Sequence, residues 1–163
     1  MIRQTLAAMT SALTISLFMG LPSAVFAAPD DADREIAVKA LNAGAAMFDA
    51  KDAKGLAATY SDDAVLKMIS RDIGSGGLKI ETKHGRAEVE EAYRELFKGD
   101  TVYHAKNTVE FVRKVGPDVL IITGYFEPDS QATDSMKIPF VQVRHKQGDV
   151  WKITDIQVFV IFK

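Results

Sequence analysis

The chain has 163 residues, 26% of them charged and 47% hydrophobic, with a formal net charge of −2. That is one domain's worth of core-forming sequence, and a mildly acidic chain without a basic tract gives no electrostatic reason to expect nucleic acid. No cysteine is present, which excludes disulfide staples, a thiol nucleophile, a thiolate metal site and lipid attachment at an N-terminal cysteine.

Met1-Ile2-Arg3 supplies a positive start, no charge follows until Asp30, and Leu6 to Gly20 is apolar or small. Pro22-Ser23 breaks the run ahead of Val25-Phe26-Ala27, which fits the small-x-small cleavage rule with Ala28 as the new N-terminus. Residues 1–27 are therefore expected to be a cleaved secretion signal and 28–163 a single domain. The expected location is periplasmic or secreted, with no membrane contact after cleavage. An uncleaved anchor is the competing expectation, because a span needs ~20 apolar residues and this run is nearly that long. Pro22, the many small and hydroxyl residues and the acidic stretch after Ala28 favour cleavage.

Asp33 to Ala50 reads as a helix that Asp30, Asp31 or Asp33 can cap. Ile36, Ala40, Leu41, Gly44, Ala45, Met47 and Phe48 fall on its buried face. Asp52 is the expected cap of a shorter helix, Ala53 to Tyr60, and Ser61-Asp62-Asp63 the turn that ends it. Ala64 to Ile69 is a short strand, Ser70 to Gly77 a polar glycine-rich link, and Leu78 to Lys83 another extended piece. His84-Gly85-Arg86 then turns into an amphipathic helix, Arg86 to Lys98, with Val89, Tyr93, Leu96 and Phe97 on one side.

The last third reads as strand. Val102 to Val115 alternates, with Tyr103, Ala105, Val109, Phe111 and Val115 on one face and His104, Lys106, Thr108 and Glu110 on the other. Gly116-Pro117-Asp118 is a turn, and Val119 to Phe126 is apolar enough to be central in a sheet. After a loop from Glu127 to Ser135, Met136 to Lys146 and Val150 to Phe162 form a hairpin around Gln147-Gly148-Asp149. Short turns favour antiparallel pairing, since parallel strands need long crossovers.

This order of elements resembles the nuclear-transport-factor-2-like superfamily, and within it the SnoaL-like and ketosteroid-isomerase-like branch. The likeness is carried by Phe48-Asp49-Ala50-Lys51-Asp52 running into Leu56-Ala57-Ala58-Thr59-Tyr60-Ser61-Asp62-Asp63-Ala64-Val65-Leu66, by His84-Gly85-Arg86-Ala87-Glu88-Val89, and by Gly148-Asp149-Val150-Trp151-Lys152-Ile153. It implies an α+β, cystatin-like roll: a cone-shaped, curved, mostly antiparallel sheet wrapped around three helices from the N-terminal half. It also implies a cavity at the wide end, lined by Tyr60, Met68, Tyr93, Phe97, Gln142 and Gln157, and a homodimer formed through the outer sheet face. The ketosteroid-isomerase general base maps to Met68, the oxyanion tyrosine to Gly44 and the partner acid to Val141 or Gln142. None of these can move a proton, so that isomerisation is not expected. Such a fold carries enzymes and plain binding modules alike, so the likeness transfers no chemistry.

Read singly, most polar residues have structural explanations. His84 reads as a solvent-facing turn residue, and His104 shares a face with Lys106 and Glu110. His145 reads as a surface or dimer-contact residue, and no histidine has the short-range partner of a zinc pair. Asp62 and Asp63 are explained by a turn, and Ser75 lies in a glycine-rich connector without P-loop chemistry. Trp151 and Ile153 read as core; on the same strand Asp155 and Gln157 must face water or be hydrogen-bonded in a cavity. The expectation is a pocket protein that binds a small apolar or amphipathic molecule, with no cofactor and no metal. Its alternatives are a lyase, isomerase or cyclase using Asp155, His104 or Tyr60, and a dimeric interaction domain presenting Val141, Val143 and Phe159.

Overall fold

The computed structural model describes residues 31–72, 74–129 and 136–161. The expected leader, Asp30 and Phe162 lie outside them. Helix α1 (Asp31–Asp49) buries Ala37, Leu41, Ala45 and Phe48 at helical spacing. Asp33 is buried and pairs with Lys114 Nζ at 3.4 Å, while Arg34 Nη2 donates to Val109 O at 2.8 Å. Asn107 Nδ2 donates to Leu41 O at 3.0 Å. These bonds lay α1 along β3 (His104–Val115). Helix α2 (Ala53–Ala58) is capped by Asp52, whose Oδ1 accepts from Gly55 N at 2.8 Å.

Tyr60 does not end α2, and Ser61-Asp62-Asp63 is not a turn. All four residues open strand β1 (Tyr60–Arg71). Tertiary partners outcompete the local side-chain bonds that favour turns at such residues. Ile153 N donates to Thr59 O at 2.9 Å. Arg86 Nε and Nη2 donate to Tyr60 O at 3.2 and 3.0 Å, and Nη2 also meets Asp62 Oδ1 at 3.0 Å. The His84-Gly85-Arg86 turn is thus a clamp on the start of β1. It joins β2 (Leu78–His84) to α3 (Gly85–Leu96), with His84 N donating to Glu88 Oε2 at 2.8 Å, a side-chain acceptor for a backbone N–H at the helix start. Gly85 sits at φ +74, and a Cβ there would stand 2.9 Å from Asp62 O, so only glycine fits.

Strands β4 (Val119–Asp129), β5 (Ile138–Gln147) and β6 (Val150–Val160) complete one curved six-stranded sheet. Its order is β2-β1-β6-β5-β4-β3. Every pairing is antiparallel except β1 with β6. The helices of the N-terminal half pack on the inner face, as the expected roll requires.

Register shifts break the strict alternation in β3 and β6, besides the one at the start of β1 between Tyr60 and Val65. In β3, Val109 pairs with Gly124 and Phe111 with Thr123, so Glu110 is unpaired. Beyond this bulge the faces exchange: Val112 is buried, whereas Phe111 and Val115 are exposed. The expected face shared by Val109, Phe111 and Val115 is therefore corrected, because a bulge shifts the pleat by one residue. Gly124 is needed opposite it, since a Cβ there would lie 2.0 Å from Thr108 O. In β6, Ile153 pairs with Arg144 and Asp155 with Val143, leaving Thr154 as an extra residue.

Two apolar clusters hold the roll. One joins Ala37 and Leu41 of α1 to Val109, Val112, Leu120, Ile122 and Phe140. The other joins Val89 of α3 to Tyr60, Ala64, Leu66, Ile153 and Ile156. Ser61 lies at the junction of α3 and β1, with its Oγ buried and without a hydrogen-bond partner among the described residues. Loss of the charged bonds in Arg86→Met should lower unfolding stability by about 1.5–3 kcal/mol. Ser61→Ala, which removes an unsatisfied hydroxyl, should be neutral or stabilising. Urea unfolding of both variants checks the pair.

Candidate functional site

The two clusters do not meet across the whole interior. Between them lies a cavity of about 610 Å³. Leu41, Gly44, Ala45 and Phe48 of α1 form one wall, and Tyr93 and Leu96 of α3 another. The sheet supplies most of the rest through inward-facing positions of β1, β4, β5 and β6, with Leu56 of α2 and Tyr103 ahead of β3. An aromatic group braces one side. Phe48 meets Phe97, Tyr103 and Phe126 edge-on at centroid distances of 5.1, 4.9 and 4.9 Å, and Phe97 stacks on Tyr93 at 5.9 Å.

Four of the six expected lining residues, Tyr60, Met68, Tyr93 and Gln142, do line the cavity. Phe97 does not; it stands behind Tyr93 as part of the aromatic brace. Gln157 does not either. A two-residue repeat from Trp151 and Ile153 would carry Asp155 and Gln157 inward, but the Thr154 bulge turns Ile156 and Val158 in instead. Asp155 and Gln157 therefore share the outer face with Phe159. His104 is exposed on the outer side of β3, apart from the cavity. Of the catalytic candidates Asp155, His104 and Tyr60, only Tyr60 reaches the interior.

His84 is exposed at the turn, and His145 Nε2 meets Asp118 Oδ2 at 2.9 Å on the surface. Asp62 and Asp63 are exposed. Ser75 Oγ donates to Asp72 Oδ2 at 2.6 Å within the β1–β2 loop, so the connector is a locally bonded turn. Among the described residues no group of three His, Asp or Glu side chains could hold a metal ion.

Arg144 is the functional candidate that sequence reasoning missed. It lines the cavity at only 5% exposure. A signal was available: Ile138, Phe140, Gln142 and Arg144 follow one another at two-residue intervals, so a cavity-facing Gln142 implies a cavity-facing Arg144. Its Nε donates to Gln142 Oε1 at 2.7 Å and its Nη1 to Trp151 O at 3.1 Å. Both acceptors are neutral, and among the described residues no carboxylate pairs with it. Burial pulls its pKa down to about 10, so the guanidinium is still a cation at neutral pH.

Tyr60 and Tyr93 form the second polar group, their hydroxyls 2.9 Å apart. Burial raises both phenols above the usual tyrosine value; for Tyr60 the neighbouring phenol adds to the rise and Arg144 opposes it. Neither phenol is a base at neutral pH.

No family model matches the sequence, and no curated protein matches it. Solved structures do. A nuclear-transport-factor-2-like protein of unknown function from Shewanella oneidensis superposes with a TM-score of 0.63 at 17% identity, over 77% of this chain and 98% of that one. The chain has the nuclear-transport-factor-2-like fold. A cystatin-like domain of unknown function from Nostoc punctiforme gives a TM-score of 0.62 at 17% identity, over 83% and 81% of the two chains. A ketosteroid isomerase-like protein from Erwinia carotovora gives 0.58 at 20% identity, over 78% and 96%. In this nuclear-transport-factor-2-like roll, Gly44 and Met68, which the resemblance maps to the isomerase's tyrosine and base, line the cavity, and of Val141 and Gln142 at the partner-acid position only Gln142 does. No acid–base set is present at those positions.

The raised phenols make stability depend on pH. A folded state that holds these protons more tightly than the unfolded chain is favoured below the ordinary tyrosine pKa of ~10. That advantage is lost as pH rises above it. Arg144 acts oppositely, since its lowered pKa makes stability rise with pH from about 10 upward. Tyr60→Phe removes one phenol alone, so its stability should fall less steeply than that of the wild type above pH ~10. Denaturant unfolding across that alkaline range checks this.

Proposed function

We propose that this is an exported pocket protein that binds a small apolar or amphipathic molecule in the cavity, without catalysing a reaction on it. One observation carries the proposal. The cavity falls in the size range of small-molecule sites and has few polar groups in an apolar wall, yet among its described lining residues there is no carboxylate and no imidazole. An enzyme of lyase, isomerase or cyclase type would have to work with Tyr60, whose phenol burial keeps neutral. For export, the support is the residue 1–27 pattern. Among the described residues no helix is long and apolar enough to cross a membrane.

Gly44 provides a test that leaves the fold intact. It lies in the interior of α1, lines the cavity, and a Cβ added there meets nothing within 4 Å. Gly44→Leu should improve helix propensity by up to ~1 kcal/mol while filling part of the chamber. In a melting screen, a ligand at about 100 times its Kd adds about 2.7 kcal/mol, which is several degrees in Tm. Compounds that shift the wild type should fail to shift Gly44→Leu, whose own Tm is equal or higher. A panel of apolar and amphipathic compounds that never moves Tm would reject the proposal.

Pairing of two copies through the outer sheet face belongs to the same proposal, with Val141, Val143 and Phe159 half-buried there. Sedimentation equilibrium should give the mass of two chains.

A further inference from the structure

We propose that the ligand is an amphipathic monocarboxylate, its head group paired with Arg144 and its apolar body filling the chamber. This rests on the ligand-binding proposal above and names the ligand class for the same cavity.

The sheet register sets the polar centre. Leu120 pairs with Arg144, Arg144 with Ile153, and Ile153 with Tyr60. These four inward positions form one row across β4, β5, β6 and β1. Leu120 and Ile153 are buried apolar neighbours, so the guanidinium stands between hydrocarbon side chains. It is the single charged residue among the described lining residues.

A guanidinium carries five N–H donors, and only two contacts to protein acceptors, Gln142 Oε1 and Trp151 O, engage them. Two neutral acceptors do not need a cation; an uncharged donor would serve them without the cost of burying charge. Gln142 has spent its carbonyl on Arg144 and keeps its amide donors. Tyr60 and Tyr93 share one bond between two hydroxyls, which leaves one O–H without an acceptor in that pair. The centre thus has a surplus of donors and one positive charge, with no anion among the described residues to meet either.

A carboxylate supplies what is lacking: one negative charge and a planar pair of oxygens that matches the fork of a guanidinium. A phosphate monoester dianion fits less well, because its second charge would have no second cation in an apolar wall. A neutral carbonyl would accept hydrogen bonds but leave the charge uncompensated. The long apolar surfaces of α1, β1 and β6 that line the remaining volume favour a hydrocarbon chain or ring system as the body.

The test compares acids with alcohols of the same body by calorimetric titration at neutral pH: decanoate against decanol, and naphthylacetate against naphthylethanol. In at least one pair the acid should bind the wild type roughly ten- to hundredfold more tightly than the alcohol. Arg144→Met should abolish that preference, bringing the acid to within a few-fold of the alcohol. Acid and alcohol binding equally in both pairs would overturn the carboxylate assignment and leave the pocket proposal standing, as would a preference that survives Arg144→Met. Binding of none of the four would instead overturn the pocket proposal, and this inference with it. If Arg144→Met does not fold, the wild-type preference decides alone.

Discussion

The whole architecture depends on one sheet bending far enough to enclose its own helices. Flat strands would lay Val109, Val112 and Leu120 against α1 and leave Tyr60, Leu66 and Ile156 without a cover. The unpaired residues Glu110 and Thr154 supply local twist where strands must turn. Parallel pairing of β1 with β6 then joins the α3 side of the sheet to the α1 side. Because α1 packs mainly on β3 and α3 on β1, the two helices press hardest on opposite flanks of the sheet and leave a gap between them. The cavity is that gap.

A chamber made in this way would be filled by side chains if stability alone decided its contents. Instead α1 presents Gly44 and Ala45, and β5 presents Arg144. Small residues leave volume unfilled and forgo dispersion contacts. A buried guanidinium without a carboxylate among the described residues costs more than a hydrophobic residue of the same size. Departures from the most stable arrangement that cluster in one interior are expected where function sets the sequence. Gly44, Arg144, Gln142 and the Tyr60–Tyr93 pair make such a cluster. The surface ion pairs, by contrast, lie on exposed helix and strand faces and contribute little.

The His84-Gly85-Arg86 turn has no part in that chemistry. Its histidine faces solvent, its glycine permits a close approach to Asp62 O, and its arginine holds Tyr60 O. It acts on the cavity only by fixing where β1 begins, and so where Tyr60 points. A motif prominent in the sequence is here structural, while the residue facing the chamber, Arg144, sits in an ordinary strand.

The sequence by itself determined the order and type of the nine elements among the described residues, because each carries a local signal: helical spacing in α1 and α3, alternation in β3 and β5, and turn residues at Gly116-Pro117-Asp118 and Gln147-Gly148-Asp149. The resemblance carried by that order of elements also pointed to Tyr60, Met68, Tyr93 and Gln142, which line the cavity. What only the tertiary structure decided was the phase after each bulge. A single unpaired residue leaves no local trace, yet it carried Gln157 and Asp155 outward and exposed Phe111. The start of β1 was decided the same way, because Ser61-Asp62-Asp63 favours a turn until Arg86 and Ile153 arrive from distant positions to bond its flanking backbone. Local periodicity is encoded residue by residue. The closing of a curved sheet depends on which carbonyl a remote side chain finds.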